Sequence, residues 1–276
     1  MSSGVQTNRV WTRPTAVAGR FYPADPAELA RMVDGFLAEA PEPAVDAKPP
    51  RAVIVPHAGY VFSGAVAARA YKAVSAASER IRRVVMIGPA HTMAFYGLAT
   101  SGAGAFATPL GEVPLDGEAI ERAVREVPAL MVHDAAHERE HDLEVQLPFL
   151  QRILKQFTLV PIVFAMASAG DVARVLEVLW GGLETLIVVS SDLSHYHDGR
   201  TATELDSATA AAIEALAPQR IGEHQACGRL AIQGLLVQAQ AHRLKAVRLD
   251  LRHSGETAPQ FGSADRVVGY GAWSFA

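Results

Sequence analysis

The feature that most constrains this chain is an alternation along its 276 residues. Short apolar runs rich in β-branched residues alternate with longer stretches of helical periodicity. Strands are predicted over 52–56 (AVIVP), 84–88 (VVMIG), 159–164 (LVPIVF), 186–190 (LIVVS), 246–251 (AVRLDL) and 267–273 (VVGYGAW). Helices are predicted over 26–39, 63–74, 117–127, 143–156, 171–180, 204–216 and 229–242. Strands that are apolar throughout suit a sheet covered on both faces, and strand–helix alternation is the signature of parallel crossover units. The expected fold is therefore α/β, a single domain with a central, mostly parallel or mixed sheet flanked by helices. Residues 1–12 read as a flexible tail and 13–276 as the domain, with the Pro-rich 41–50 a short connector. Asp25 before Pro26 reads as an N-cap followed by proline at the first helical position.

Charge narrows the range of partners. With 25 basic and 29 acidic residues the net charge is −4, which provides no basic footprint for nucleic acid. A single cysteine, Cys227, excludes a disulfide framework and fits a reducing, cytoplasmic setting. The first residues lack the apolar core of a signal peptide, and no run approaches the roughly 18 apolar residues of a membrane span.

Chemistry-bearing residues gather where strands end. The first strand runs into His57 (PHAGY), the second into His91 (GPAHT), and the fourth into SDLSHYHD with Asp192, His195 and His197. Ligands of open parallel sheets bind beyond the carboxyl ends of the strands, so these imidazoles and one carboxylate are expected on one edge. Imidazole is both a common metal ligand and a general base near neutral pH. Cys227 precedes the helix expected from Arg229, where a helix N-terminus or a cation would favour thiolate; a small buried hydrophobe is the alternative. Two imidazoles and a thiolate would suit Fe, Zn or Cu rather than Mg or Ca. A rival signal is HEREH, His137–His141, which matches the H-E-x-x-H of zinc peptidases with Glu138 as base but lacks a third-ligand extension. The chain has neither a G-x-S-x-G elbow nor a GK[ST] phosphate loop.

Several longer blocks carry a resemblance. AGRFYPADP (Ala18–Pro26), VPHAGYVFSG (Val55–Gly64), IGPAHT (Ile87–Thr92), TPLGEVPLD (Thr108–Asp116), EHDLEVQLPFL (Glu140–Leu150), VVSSDLSHY (Val188–Tyr196) and CGR (Cys227–Arg229) together resemble the Memo family, whose prokaryotic members are called AmmeMemoRadiSam system protein B. The resemblance implies a fold like that of class III extradiol ring-cleaving dioxygenases. It also implies a metal site of His57, His91 and Cys227, with Fe(II) expected and Cu or Zn as alternatives. His195 would then act as acid or base, Asp192 would orient a neighbouring His, and His141 would line the cleft. Where some members carry His after CGR, this chain has Leu230. The implied function is a mononuclear non-haem iron oxidoreductase acting on a small molecule or peptide in the cleft. The alternative is a non-catalytic binding or metal-handling module working with an AMMECR-type protein and a radical S-adenosylmethionine enzyme. The zinc peptidase ranks third, because the family block begins at Glu140 and leaves His137 outside it.

Overall fold

The computed structural model describes residues 11–44, 48–261 and 265–276. Its strands are β1 (Thr12–Arg13), β2 (Ala52–Val55), β3 (Arg83–Pro89), β4 (Leu98–Thr100), β5 (Ala105–Thr108), β6 (Gly111–Pro114), β7 (Leu130–Val132), β8 (Thr158–Phe164), β9 (Thr185–Ser190), β10 (His195–His197), β11 (Ala246–His253) and β12 (Val267–Phe275). Its helices are α1 (Pro26–Glu39), α2 (Tyr60–Ser75), α3 (Gly117–Glu126), α4 (Ala135–Glu138), α5 (Leu147–Ile153), α6 (Ala169–Leu179), α7 (Gly199–Glu214), α8 (Arg229–Ala241) and α9 (Ser254–Thr257).

The large sheet has the order β10-β12-β2-β9-β3-β8-β4-β7, with β11 also paired to β12. Its centre, β2-β9-β3-β8, is parallel, while β12 and β4 join it antiparallel. The expected mixed α/β architecture is therefore the one found. Every residue of β2 and β9 is buried, as strands covered on both faces must be. The flanking helices pack in two groups, α1 with α2 and α5, and α6 with α3 and α8. A small sheet, β1-β5-β6, brings the N-terminal segment onto the body. Residues 1–10 of the expected tail lie outside the described residues, and Thr12 pairs in register with Ala105.

Helix α1 starts as its sequence predicts, with the Asp25 side chain accepting from the Glu28 N–H at 2.8 Å. The helix expected over 143–156 is interrupted. A single 3₁₀ turn, Glu144–Gln146, precedes α5, in which Pro148 lies in the first turn. A continuous helix would drive the Pro148 ring into the Glu144 carbonyl, so the α-helix begins only at Leu147. This break turns Glu140–Gln146 into a buried, polar-rich passage beneath the site.

Candidate metal centre

The carboxyl ends of β2, β9 and β3 lie side by side, and the residues that follow them form the site. The N–H of Ser191 donates to the Val55 carbonyl at 2.8 Å, and the N–H of His57 donates to Asp192 Oδ1 at 2.7 Å. Asp192 thus fixes the backbone of His57, whereas the family resemblance implied that it orients a neighbouring His ring. Its carbonyl accepts the Cys227 N–H at 3.2 Å, which draws the 227 loop onto the end of β9. A side chain at Gly228 would place its Cβ 2.4 Å from the Ser191 Cβ, so this close approach requires glycine.

The result brings together three of the residues expected to bind metal. His57, His91 and Cys227 each offer a ligand atom, all within 4.8 Å of one another, and His57 Nε2 lies 3.3 Å from Cys227 Sγ. His57 is buried, Cys227 half-buried and His91 exposed, so one side of the group opens to solvent. His141 joins them, its ring centroid 4.6 Å from His91 and 5.6 Å from His57, with Phe21 against it at 4.7 Å. His195 stands across Cys227 on the wall of a cavity of about 440 Å³, shared with His197, Glu223, His224 and Ala226. That volume is in the range of small-molecule pockets.

Hydrogen-bond accounting fixes the state of the rings. Ser190 Oγ donates its one proton to the Asp142 carbonyl at 2.8 Å and accepts from Gln146 Nε2 at 3.0 Å. Its 2.9 Å contact with His57 Nδ1 must then be an N–H donated by the ring, which leaves a lone pair on Nε2 facing the sulfur. Neighbours acting in the same way hold Nδ1 of His91 and His141 on Glu140 Oε1, at 2.9 and 3.1 Å, and Nδ1 of His195 on the Leu193 carbonyl at 2.8 Å. Ligating imidazoles are characteristically held by their second nitrogen in this manner.

Electrostatics agree with a cation site. Burial, with the neighbouring His91 and His141, lowers the pKa of His57 well below the usual imidazole value and keeps the ring neutral. Burial and the Asp192 carboxyl push the Cys227 thiol up. The position before α8 does not offset this, so without a cation Cys227 is a thiol and not an activated nucleophile. A metal ion would supply the charge that thiolate needs, and the donor set of neutral imidazoles and sulfur fits a borderline or soft metal. Burial alone would raise the Glu140 carboxyl, but hydrogen bonds from His141 and His91 outweigh it and hold the carboxyl far below its usual value.

The zinc-peptidase reading does not survive this geometry. Helix α4 ends at Glu138, so His137 and His141 do not share a helical face. The His137 ring is buried and donates from Nε2 to the Ala99 carbonyl at 3.1 Å. Burial lowers its pKa to about 4. In the unfolded chain it titrates near 6.5, so the unfolded state takes up this proton first as pH falls. Stability is expected to decline by about 3 kcal/mol from this residue as pH drops from about 6.5 to 4, and to level off below. Urea titrations across that window should show a shallower acid limb in His137→Gln, and parallel limbs would refute the assignment.

Sequence reasoning had not assigned roles to Glu140, Ser190 and Gln146, the residues that hold the rings. Glu140 stood inside a quoted block, yet nothing in a linear sequence says which buried acceptor meets which imidazole. The lone polar residues at the buried end of β9 and in the interrupted helix were the available signal.

Among the described residues no helix is long and apolar enough to cross a membrane. The family model described as Memo-like protein matches residues 13–274. A MEMO1 family protein of Aquifex aeolicus is 34% identical over 269 residues, covering 94% of this chain and 97% of its own. A MEMO1 family protein of Methanopyrus kandleri is 35% identical over 281 residues, covering 95% and 98% respectively. Because the match runs through every segment that builds the His–Cys cluster, from the PHAGY strand end to the CGR turn, the chain belongs to the Memo family.

Proposed function

We propose that this protein holds one redox-active metal ion, Fe(II) in the first instance, on His57, His91 and Cys227, and acts as a non-haem oxidoreductase on a small molecule in the adjoining cavity. The observation that carries the reading is the 3.3 Å approach of His57 Nε2 to Cys227 Sγ, with the other ring nitrogen already engaged. When bound, such an ion would supply Lewis acidity and electrons for O₂ chemistry, with thiolate donation in place of the carboxylate that two-histidine, one-carboxylate iron sites use. The protein supplies the rest. His195, anchored through Nδ1, has Nε2 available to take a proton from a substrate hydroxyl and return it later. His141 stands beside His91 and His57, and Phe21 packs against its ring.

Elemental analysis of protein purified without oxygen tests the site. About one metal ion per chain is expected in the wild type and loss of it in Cys227→Ser and His57→Ala, with folding checked by circular dichroism. Metal retained in both folded variants would overturn the site. The exposure of His91 favours a second reading, a binding or metal-handling module with AMMECR-type and radical S-adenosylmethionine partners, because an open ligand eases metal exchange. Iron-loaded protein that consumes no O₂ with a panel of phenols and indoles, yet passes metal to a chelator or partner, would move the assignment there.

A further inference from the structure

We propose that Glu140 is a positioning residue that sets the tautomer of two imidazoles at once, His91 and His141, so that both carry their lone pair on Nε2. The proposal deepens the reading of His91 as a metal ligand and rests on it only for its consequence in metal affinity. Both carboxylate oxygens face donors alone. Oε2 accepts the main-chain N–H groups of His91 at 2.5 Å and Thr92 at 3.2 Å. Oε1 accepts the main-chain N–H of His141 at 2.9 Å and lies against both ring Nδ1 atoms. A carboxylate has no proton to give, so each neutral ring must carry its hydrogen on Nδ1.

The two oxygens differ in what their partners can do. The two main-chain N–H groups on Oε2 and that of His141 on Oε1 cannot reverse their role, whereas an imidazole can move its proton from one nitrogen to the other. A glutamine at this position therefore has a less costly orientation, with its carbonyl oxygen in the place of Oε2 and its NH₂ in the place of Oε1, where it leaves the main-chain N–H of His141 without an acceptor instead of those of His91 and Thr92. Its two hydrogens then point at the two Nδ1 atoms, and both rings must accept there and carry hydrogen on Nε2 instead. A nearly isosteric substitution would thus remove the lone pair with which His91 meets the metal, and the one with which His141 accepts from a ligand. The site of the native protein, with Nδ1 of His57, His91 and His141 anchored, turns Nε2 acceptors toward a ligand. It selects a cation and a ligand bearing hydroxyl or amine hydrogens over an oxyanion.

Nitrogen-15 NMR of the imidazoles in metal-stripped protein is the test, with Co(II) titration beside it. The wild type should show His91 and His141 as Nδ1–H tautomers, and Glu140→Gln should show both as Nε2–H. The same variant should bind Co(II) about 10–100-fold more weakly, the usual cost of losing a group that orients a ligand. Either ring found as Nε2–H in the neutral wild type overturns the proposal, whether or not the variant folds. Rings unchanged in a folded Glu140→Gln also overturn it. Switched tautomers with unchanged Co(II) affinity would sustain the positioning role and instead refute His91 as a ligand.

Discussion

Glu144→Ala is expected to cost about 3–5 kcal/mol of stability and to lower the melting temperature by about 10 °C. Glu144 lies beneath the site passage, and its carboxylate accepts from the Ala16 N–H at 2.7 Å, the Val17 N–H at 3.0 Å and the Tyr22 hydroxyl at 2.6 Å. It also pairs with Arg13, which is 2% exposed, donates to the His137 and Glu140 carbonyls and lies over the Phe106 ring. Alanine would leave a buried guanidinium without its counter-charge and three further donors without an acceptor, the costly half of breaking a buried pair. Surface pairs such as Arg200–Glu204 should contribute almost nothing by comparison. A loss below about 1 kcal/mol in urea unfolding would show that the passage rearranges around the gap. The double variant Arg13→Met with Glu144→Leu should recover much of the loss, since apolar replacement of both partners removes the stranded charge.

Gly88→Ala should damage the site itself. An alanine Cβ there would lie 1.8 Å from Asp142 Oδ2 and 3.2 Å from the Ser190 Cβ. Asp142 is buried, its Oδ2 has no hydrogen-bond partner, and burial with the nearby Glu140 raises its pKa well above the carboxylate range. It cannot move alone, because its carbonyl anchors the Ser190 hydroxyl that holds His57, and the two residues before it in the chain are Glu140 and His141. The expected cost is about 1–3 kcal/mol of overpacking, with metal binding about tenfold weaker or worse. Gly35→Ala is the control, since nothing lies within 4 Å of a Cβ at that position in α1 and helix propensity favours alanine. Equal behaviour of the two variants in unfolding and Co(II) titration would sink the argument.

The central sheet and the histidines at its edge were legible because both follow from strong local patterns. Fully apolar β-branched runs announce buried parallel strands, and a His just past such a run has few places to go except the carboxyl edge. What escaped was short or non-local. Strands of two to four residues, such as β1, β4 and β7, carry no periodicity and form only because a neighbouring edge is already present. The break before α5 could have been read from Pro148, but the apolar spacing of VQLPFL argued for one helix. Asp192 was placed at the site on its strand end, yet its acceptor goes to a backbone N–H and not to a ring, a choice that depends on a loop 135 residues away. The HEREH match, ranked third among the readings, fails for the opposite reason: its spacing is helical, but the helix stops within it.

The separation in sequence of the site's parts bears on when the candidate metal site can form. His57 and Cys227 are 170 residues apart, Arg13 and Glu144 are 131 apart, and β12 slots between β10 and β2 after all of the donors have been made. Contacts of such long range are among the slowest to form, since large loops must close before any of them is rewarded. No short fragment of the chain unites the two imidazoles with the thiol, so a nascent or partly folded form would offer a metal only scattered single donors. Any metal these residues hold would then be taken up by the finished tertiary structure, and the site would serve as its own check that folding is complete.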